Sequence, residues 1–284
     1  MNKEFSYQQL NLEQFKTYVE WAAAEGWNPG IHDAEIFWNT DPQGFWGCFK
    51  DEEMVGGASM VSYDGLYGFM GFFIVKPEYR NAGLGRMLWS DKKIVLERLQ
   101  PGAAVGMDGV VAMQPFYQKG GFEIAYKDVR YERTGTTFEL SNTISKISAS
   151  AIEEIMQLDL ECFGVPRPRF LTPWLQQPDS FSYQCRENGQ LKGFALLRKC
   201  FSGYKIGPLF ADNTVVAEEL YKACLHAVPG EPVFLDIPLC NPSALELVEK
   251  YDARYVFECA RMYLGKPPAM NIKKVFGITS FELG

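Results

Sequence analysis

The chain has 284 residues, 47% of them hydrophobic and 22% charged, with a formal net charge of −7. This length suits two modest cores in a soluble chain, and an acidic balance without any basic run argues against a nucleic-acid partner. Seven scattered cysteines with no C-x-x-C pair read as reduced thiols, and two distant histidines, His32 and His226, argue against a metal site.

Asn11, with Gln14 three residues on, marks a helix start, and Leu12, Phe15, Val19 and Ala22 follow at helical spacing as far as Gly26. "WNPG", Trp27 to Gly30, is a turn, and Asp33 is expected to cap a second short helix ending near Trp38. β-like runs Phe45–Phe49 and Met54–Ser62 flank a charged turn, and Asp64-Gly65 turns the chain into a long strand ending at Val75. Next comes Arg80-Asn81-Ala82-Gly83-Leu84-Gly85, after which apolar residues recur at helical spacing through Leu99. A glycine loop opening a helix offers unpaired N–H groups and the positive dipole end to a phosphate or pyrophosphate. The spacing R-x-x-G-x-G fits neither the nucleotide P-loop nor the dinucleotide fingerprint. A turn that binds nothing is the alternative. Pro101-Gly102 then leads to an apolar run from Val105 to Ala112, a short helix carrying "PFYQKGGF", and the strand-like "EIAYKDVRYE".

The second half repeats this order. Phe45–Met60 corresponds to Phe181–Leu197, "VGMDGV" to "VFLDIP" so that Asp108 aligns with Asp236, and "FYQKGGFEIAYKDVRYE" to "LVEKYDARYVFECARMY". A polar stretch around Thr134–Ser148 separates the halves, dividing the chain into residues 1–138 and 139–284. In the duplicate the glycine loop is replaced by "ADNTVVAEE", whose acids would repel a pyrophosphate, so a single cofactor site is expected in the first half.

With loop, order and duplication in view, the first half resembles a GNAT acetyltransferase domain. The whole chain resembles tandem GNAT proteins with a YitH-type C-terminal half, through "DLECFGVPRPRFL", "LRKCFSGYKIGPLFAD" and "VFGITSFELG". The resemblance implies an α+β fold of two tandem GNAT-like domains, each a mixed, mostly antiparallel sheet flanked by helices. It also implies acetyl-CoA as the acyl donor. The fourth strand would splay from the fifth, its end at Phe73, Ile74 and Val75 pairing with the pantetheine arm. The pyrophosphate would sit on the amides of Asn81, Ala82, Gly83, Leu84, Gly85 and Arg86, with Arg80 or Arg86 adding charge. A backbone N–H near Phe73 would polarise the thioester carbonyl, a role worth roughly 3–4 kcal/mol.

Tyr117 stands where the family commonly keeps a tyrosine beside the CoA sulfur, which makes it the candidate general acid; a core tyrosine is the other reading. Asp108, within an apolar run, is either a structural acceptor or a base that anchors an ammonium, and its echo at Asp236 favours the former. Trp27, His32 and Asp33 are candidate acceptor-pocket residues, Asp33 being also explicable as a helix cap, and Arg167 and Arg169 could bind a substrate carboxylate. The expected activity is N-acetylation of a primary amine on a small molecule, by direct attack in a ternary complex, with the second half shaping the acceptor pocket. A protein or peptide N-acetyltransferase and a non-catalytic acyl-CoA-binding protein are the alternatives. The opening segment has no apolar leader and no stretch long enough to span a bilayer, so a cytoplasmic location without membrane partners is expected. Oligomeric state is open.

Overall fold

The computed structural model describes residues 4–80, 83–85, 89 and 96–284. In the first half, strand β1 (Ser6–Gln9) precedes helix α1 (Leu12–Ala24) and helix α2 (Asp33–Thr40). Strands β2 (Phe45–Lys50), β3 (Glu53–Tyr63), β4 (Tyr67–Val75) and β5 (Val105–Val110) follow, then helix α3 (Gln114–Lys119) and strand β6 (Glu123–Thr134). The second half contributes β7 (Ile144–Lys146), helices α4 (Ile152–Phe163) and α5 (Pro168–Leu175), and strands β8 (Ser180–Glu187), β9 (Gln190–Lys199) and β10 (Tyr204–Ala211). Helix α6 (Thr214–Ala227), β11 (Pro232–Pro238), α7 (Pro242–Lys250), β12 (Arg254–Leu264) and β13 (Val275–Gly277) complete it.

The start of α1 is a capping box: Asn11 Oδ1 accepts the Gln14 N–H and Gln14 Oε1 accepts the Asn11 N–H, each at 2.9 Å. α2 begins differently from expectation. His32 holds the cap position without a side-chain capping bond, and Asp33 is the first helical residue, turned inward. Asp33 accepts the Gly30 N–H at 2.7 Å and faces Arg198 of β9 at 3.1 Å, so a long-range ion pair takes the carboxylate that a cap would have used.

Among the described residues all thirteen strands form one sheet, in the order β1-β2-β3-β4-β5-β12-β6-β11-β10-β9-β8-β7, with β13 against β10. Only β4·β5 and β10·β11 are parallel; the other pairs are antiparallel. The last strands of the halves are exchanged. β12 lies on β5 of the first half and β6 lies on β11 of the second, so the spatial division does not follow the chain division near residue 138. The exchange is cross-braced by two equivalent ion pairs. Arg261 of β12 meets Asp108 of β5 at 2.7 and 2.9 Å, and Arg130 of β6 meets Asp236 of β11 at 2.6 and 2.7 Å. All four side chains are buried, which makes each bidentate pair a strong register constraint.

Phe72 interrupts β4. Its φ is 47°, and the register with β3 shifts there, so β4 carries an extra residue and bends. The buried Tyr18 hydroxyl on α1 pins this bulge, accepting the Ile74 N–H at 2.9 Å and donating to the Phe72 carbonyl. On the same stretch, a Cβ at Gly71 would overlap the Glu282 carbonyl, so glycine is what lets residues 278–284 pass over β4. That segment is tied down at both sides: Ile278 N–H donates to Asp236 O at 2.8 Å and Tyr63 Oη to Leu283 O at 2.8 Å. Among the described residues no helix is long and apolar enough to cross a membrane.

Candidate active site

Pairing of β4 with β5 covers only Gly68–Met70 against Val105–Met107. Beyond those residues the two strands are no longer paired: β4 bulges at Phe72, while β5 stays paired with β12 through Val110. A cleft of about 580 Å³ opens in the gap. One wall is the backbone and side chains of Gly71–Val75, and the other carries Asp108 and Val110. The second half closes it with Phe257 and Cys259 from β12 and with Phe281 and Glu282 from the final segment.

Of the residues expected from sequence, Phe73, Ile74, Val75, Arg80, Gly85, Asp108, Tyr117 and Trp27 meet around this one cleft. Gly83 lies beside them with φ 84°, a left-handed turn conformation that glycine adopts without strain. Leu84 turns inward against Cys48 and Val55. Asn81, Ala82 and Arg86 lie outside the described residues. His32 and Asp33 are not brought to the cleft: His32 Nε2 is 3.0 Å from Asp179, and Asp33 is buried on Arg198. Arg167 is also internal. It pairs with Asp159 at 2.7 and 2.9 Å and donates to the Gly284 carbonyl at 3.2 Å, gripping the final segment.

Tyr117 sits on α3 with its ring against Gly109, where a Cβ would come within 2.9 Å of the ring, and edge-on to Phe73 at 6.4 Å. Burial pushes its phenol well above the ordinary range, with the neighbouring Cys259 adding to the effect, so the hydroxyl keeps its proton at neutral pH. Burial also pushes up the Asp108 carboxyl, against the Arg261 guanidinium that grips it. Asp128 stands 3.9 Å from the same guanidinium, and burial and then the Asp108 charge raise its carboxyl well above the ordinary range. At the mouth, Arg80 donates through Nε to the Val75 carbonyl at 2.9 Å and pairs with Glu25.

Glu282 was not anticipated. Its Oε2 is buried with no hydrogen-bond partner among the described residues, and burial raises its carboxyl although Lys205, Arg198 and Arg130 lie near enough to lower it. The signal available in the sequence was a lone acid in "VFGITSFELG".

Two family models match the chain: "Acetyltransferase (GNAT) family" over residues 7–122 and "Acetyltransferase (GNAT) domain" over residues 155–277. A holothin acyltransferase from Pseudoalteromonas sp. (strain SANK 73390) is 30% identical over 276 residues, 96% of this chain and 92% of the relative. An uncharacterized N-acetyltransferase, YitH of Bacillus subtilis (strain 168), is 26% identical over 204 residues, 68% of this chain and 69% of the relative. In fold, a crystallised protein from Pyrococcus horikoshii superposes with a TM-score of 0.85 at 23% identity, over 100% of this chain and 97% of that one. With two GNAT matches in tandem and a relative of this similarity along nearly its whole length, the chain belongs to the GNAT family and is a tandem GNAT acyltransferase.

Proposed function

We propose that this acyltransferase moves acetyl from acetyl-CoA to the primary amine of a small molecule, by direct attack in a ternary complex. The observation that carries the reading is the cleft opened where β4 loses its β5 partner, bordered at once by Gly85 and Tyr117. The residues present fit the donor. β4 beyond Met70 has a free side toward the gap for an amide-bearing arm, and a Cβ at Gly85 would meet nothing nearer than the Phe73 ring at 3.7 Å, so a ligand can come close to that backbone. Acetyl-CoA would supply an activated thioester there. Phe73, Ile74 and Val75 would hold the arm, and the amides between Asn81 and Arg86, with Gly83, Leu84 and Gly85, would take the pyrophosphate.

Tyr117 holds its proton and serves the departing sulfur as a hydrogen-bond donor. Asp108 is engaged through both oxygens by Arg261, so its part is to hold the wall. Trp27 completes the acceptor side, and the relative's name adds holothin to the acceptors worth testing. Isothermal titration with acetyl-CoA tests the donor site. Wild type is expected to bind, and Gly85→Trp, at a position where an added Cβ meets nothing nearer than 3.7 Å, is expected to lose binding. No binding by wild type, or undiminished binding by the folded variant, rejects the site.

A further inference from the structure

The acceptor side of the cleft is apolar and aromatic: Trp27, Phe72, Phe257 and Phe281 line it. Three acids reach the same space, and two are already engaged. Asp108 is gripped by Arg261, and Glu25 is paired with Arg80 at the mouth. Glu282 alone of the three has a buried carboxylate oxygen with no partner among the described residues. The charged groups near enough to act on it are Lys205, Asp33, Arg198 and Arg130. Arg130 is committed to Asp236, and Arg198 faces Asp33. Among the described residues Lys205 Nζ donates to the Trp27 carbonyl, at 3.4 Å, and burial, then the Arg130 charge, lowers its pKa. Glu282 thus lines the cleft with a carboxylate oxygen, Oε2, that no hydrogen bond reaches among the described residues.

We propose that Glu282 is the residue that receives the acceptor: its carboxylate binds the ammonium of a compact aromatic primary amine whose ring lies among Trp27, Phe257 and Phe281, and removes its proton. The proposal rests on the acetyl-transfer reading above. One proton passes from nitrogen to a Glu282 oxygen, leaving a neutral amine with a free lone pair. The nitrogen forms its bond to the acetyl carbonyl carbon as the carbon–sulfur bond breaks with its electron pair on sulfur. The second nitrogen proton goes to that sulfur, giving amide and free thiol, and Glu282 returns its proton to water through the cleft. Burial favours this use, because a carboxyl raised above its ordinary range is a stronger base near neutral pH.

The experiment uses the full chain at saturating acetyl-CoA, with 2-phenylethylamine and ethylamine as probes and thiol release as the readout across acidic to alkaline pH. Wild type is expected to prefer 2-phenylethylamine by about tenfold or more in kcat/KM, as burial of several apolar carbons implies. Glu282→Gln is expected to lower kcat/KM about 100-fold or more and to abolish the acid limb of the pH profile, with acetyl-CoA affinity unchanged by titration. Glu282→Asp is expected to retain that limb at reduced rate. If the Gln variant does not fold, the Asp variant decides alone: an unchanged rate overturns the proposal. Activity and pH profile preserved in Glu282→Gln overturn it, as does a loss of acetyl-CoA binding in that variant, which marks a structural role. Wild type that binds acetyl-CoA yet acetylates neither amine refutes the acceptor assignment while leaving the donor site standing. Wild type that binds no acetyl-CoA refutes both.

Discussion

Tyr18→Phe tests how the cleft is held open. The Tyr18 hydroxyl is buried, takes the Ile74 N–H at 2.9 Å and donates to the Phe72 carbonyl. Phenylalanine keeps the ring contacts with Trp21 and Phe72, so the change removes the hydroxyl and little packing. Two backbone groups then lose a partner, at about 1–3 kcal/mol for each that stays buried and unsatisfied. Water entering from the cleft can recover part of this, which places the expected loss near ~3 kcal/mol. At about 2–4 °C per kcal/mol for a chain of this size, the melting temperature should fall by about 6–12 °C. The left-handed Phe72 should also relax, closing β4 toward β5 and weakening acetyl-CoA binding. Calorimetry with and without acetyl-CoA, together with titration, reads both effects. An unchanged melting temperature, or full acetyl-CoA affinity in a variant that has lost stability, would refute the view that this hydroxyl sets the cleft.

Glu25→Ala frees Arg80 at the cleft mouth, where the two are paired near the expected pyrophosphate position. Exposed pairs are worth about 0.2–1 kcal/mol, so acetyl-CoA affinity should rise by up to about fivefold, and the gain should vanish in high salt; a weaker affinity would show that Glu25 shapes the site instead. Residues 1–138 expressed alone lack β12, leaving the β5 edge open and Asp108 unpaired. That fragment should be unfolded or aggregated by circular dichroism and light scattering, and a folded monomer binding acetyl-CoA would contradict the exchanged topology. Asp236→Asn strands the buried Arg130 and should cost about 3–5 kcal/mol at neutral pH. Burial works against the Asp236 carboxylate, but Arg130 holds its pKa below the ordinary value, so the stability it contributes is present above about pH 4 and is lost as pH falls further. Denaturant titrations of wild type and variant should therefore converge in acid, and a constant gap between them would exclude that linkage.

Much of the local structure is written in short-range chemistry. The Asn11 and Gln14 pair announces α1, and the turns at Asp51-Glu52-Glu53 and Asp64-Gly65 separate β2, β3 and β4 near their observed ends. Strand β1 carries no such signal, since "SYQQ" is polar and becomes a strand only by pairing with β2. Asp33 shows the same limit from the other side: its local pattern is that of a cap, and Arg198, 165 residues away, overrides it. Of the residues that line the cleft, Gly85, the end of β4 and Tyr117 are legible in the sequence because each sits in a recognisable local context. Glu282 was not, because a single acid gains meaning only when a distant segment is laid over Gly71.

The strand exchange was hidden for a related reason. A last strand has the same internal pattern whichever half it joins, so periodicity is silent, although the repeat alignment that matches Asp108 with Asp236 also matches Arg130 with Arg261. The choice between partners has a chemical consequence at the cleft. In the repeat register Phe257 and Cys259 of β12 correspond to Tyr126 and Asp128 of β6. Had β6 returned to β5, a tyrosine and an aspartate would border the acceptor space; instead β12 puts a phenylalanine and a cysteine there, and Asp128 is withdrawn to the Arg261 side. The exchange thus keeps a tyrosine and an aspartate off this wall, to which Glu282 belongs with an Oε2 that has no hydrogen-bond partner among the described residues. On the proposal that Glu282 receives the acceptor, a half without a glycine loop of its own sets which acceptor the other half can use.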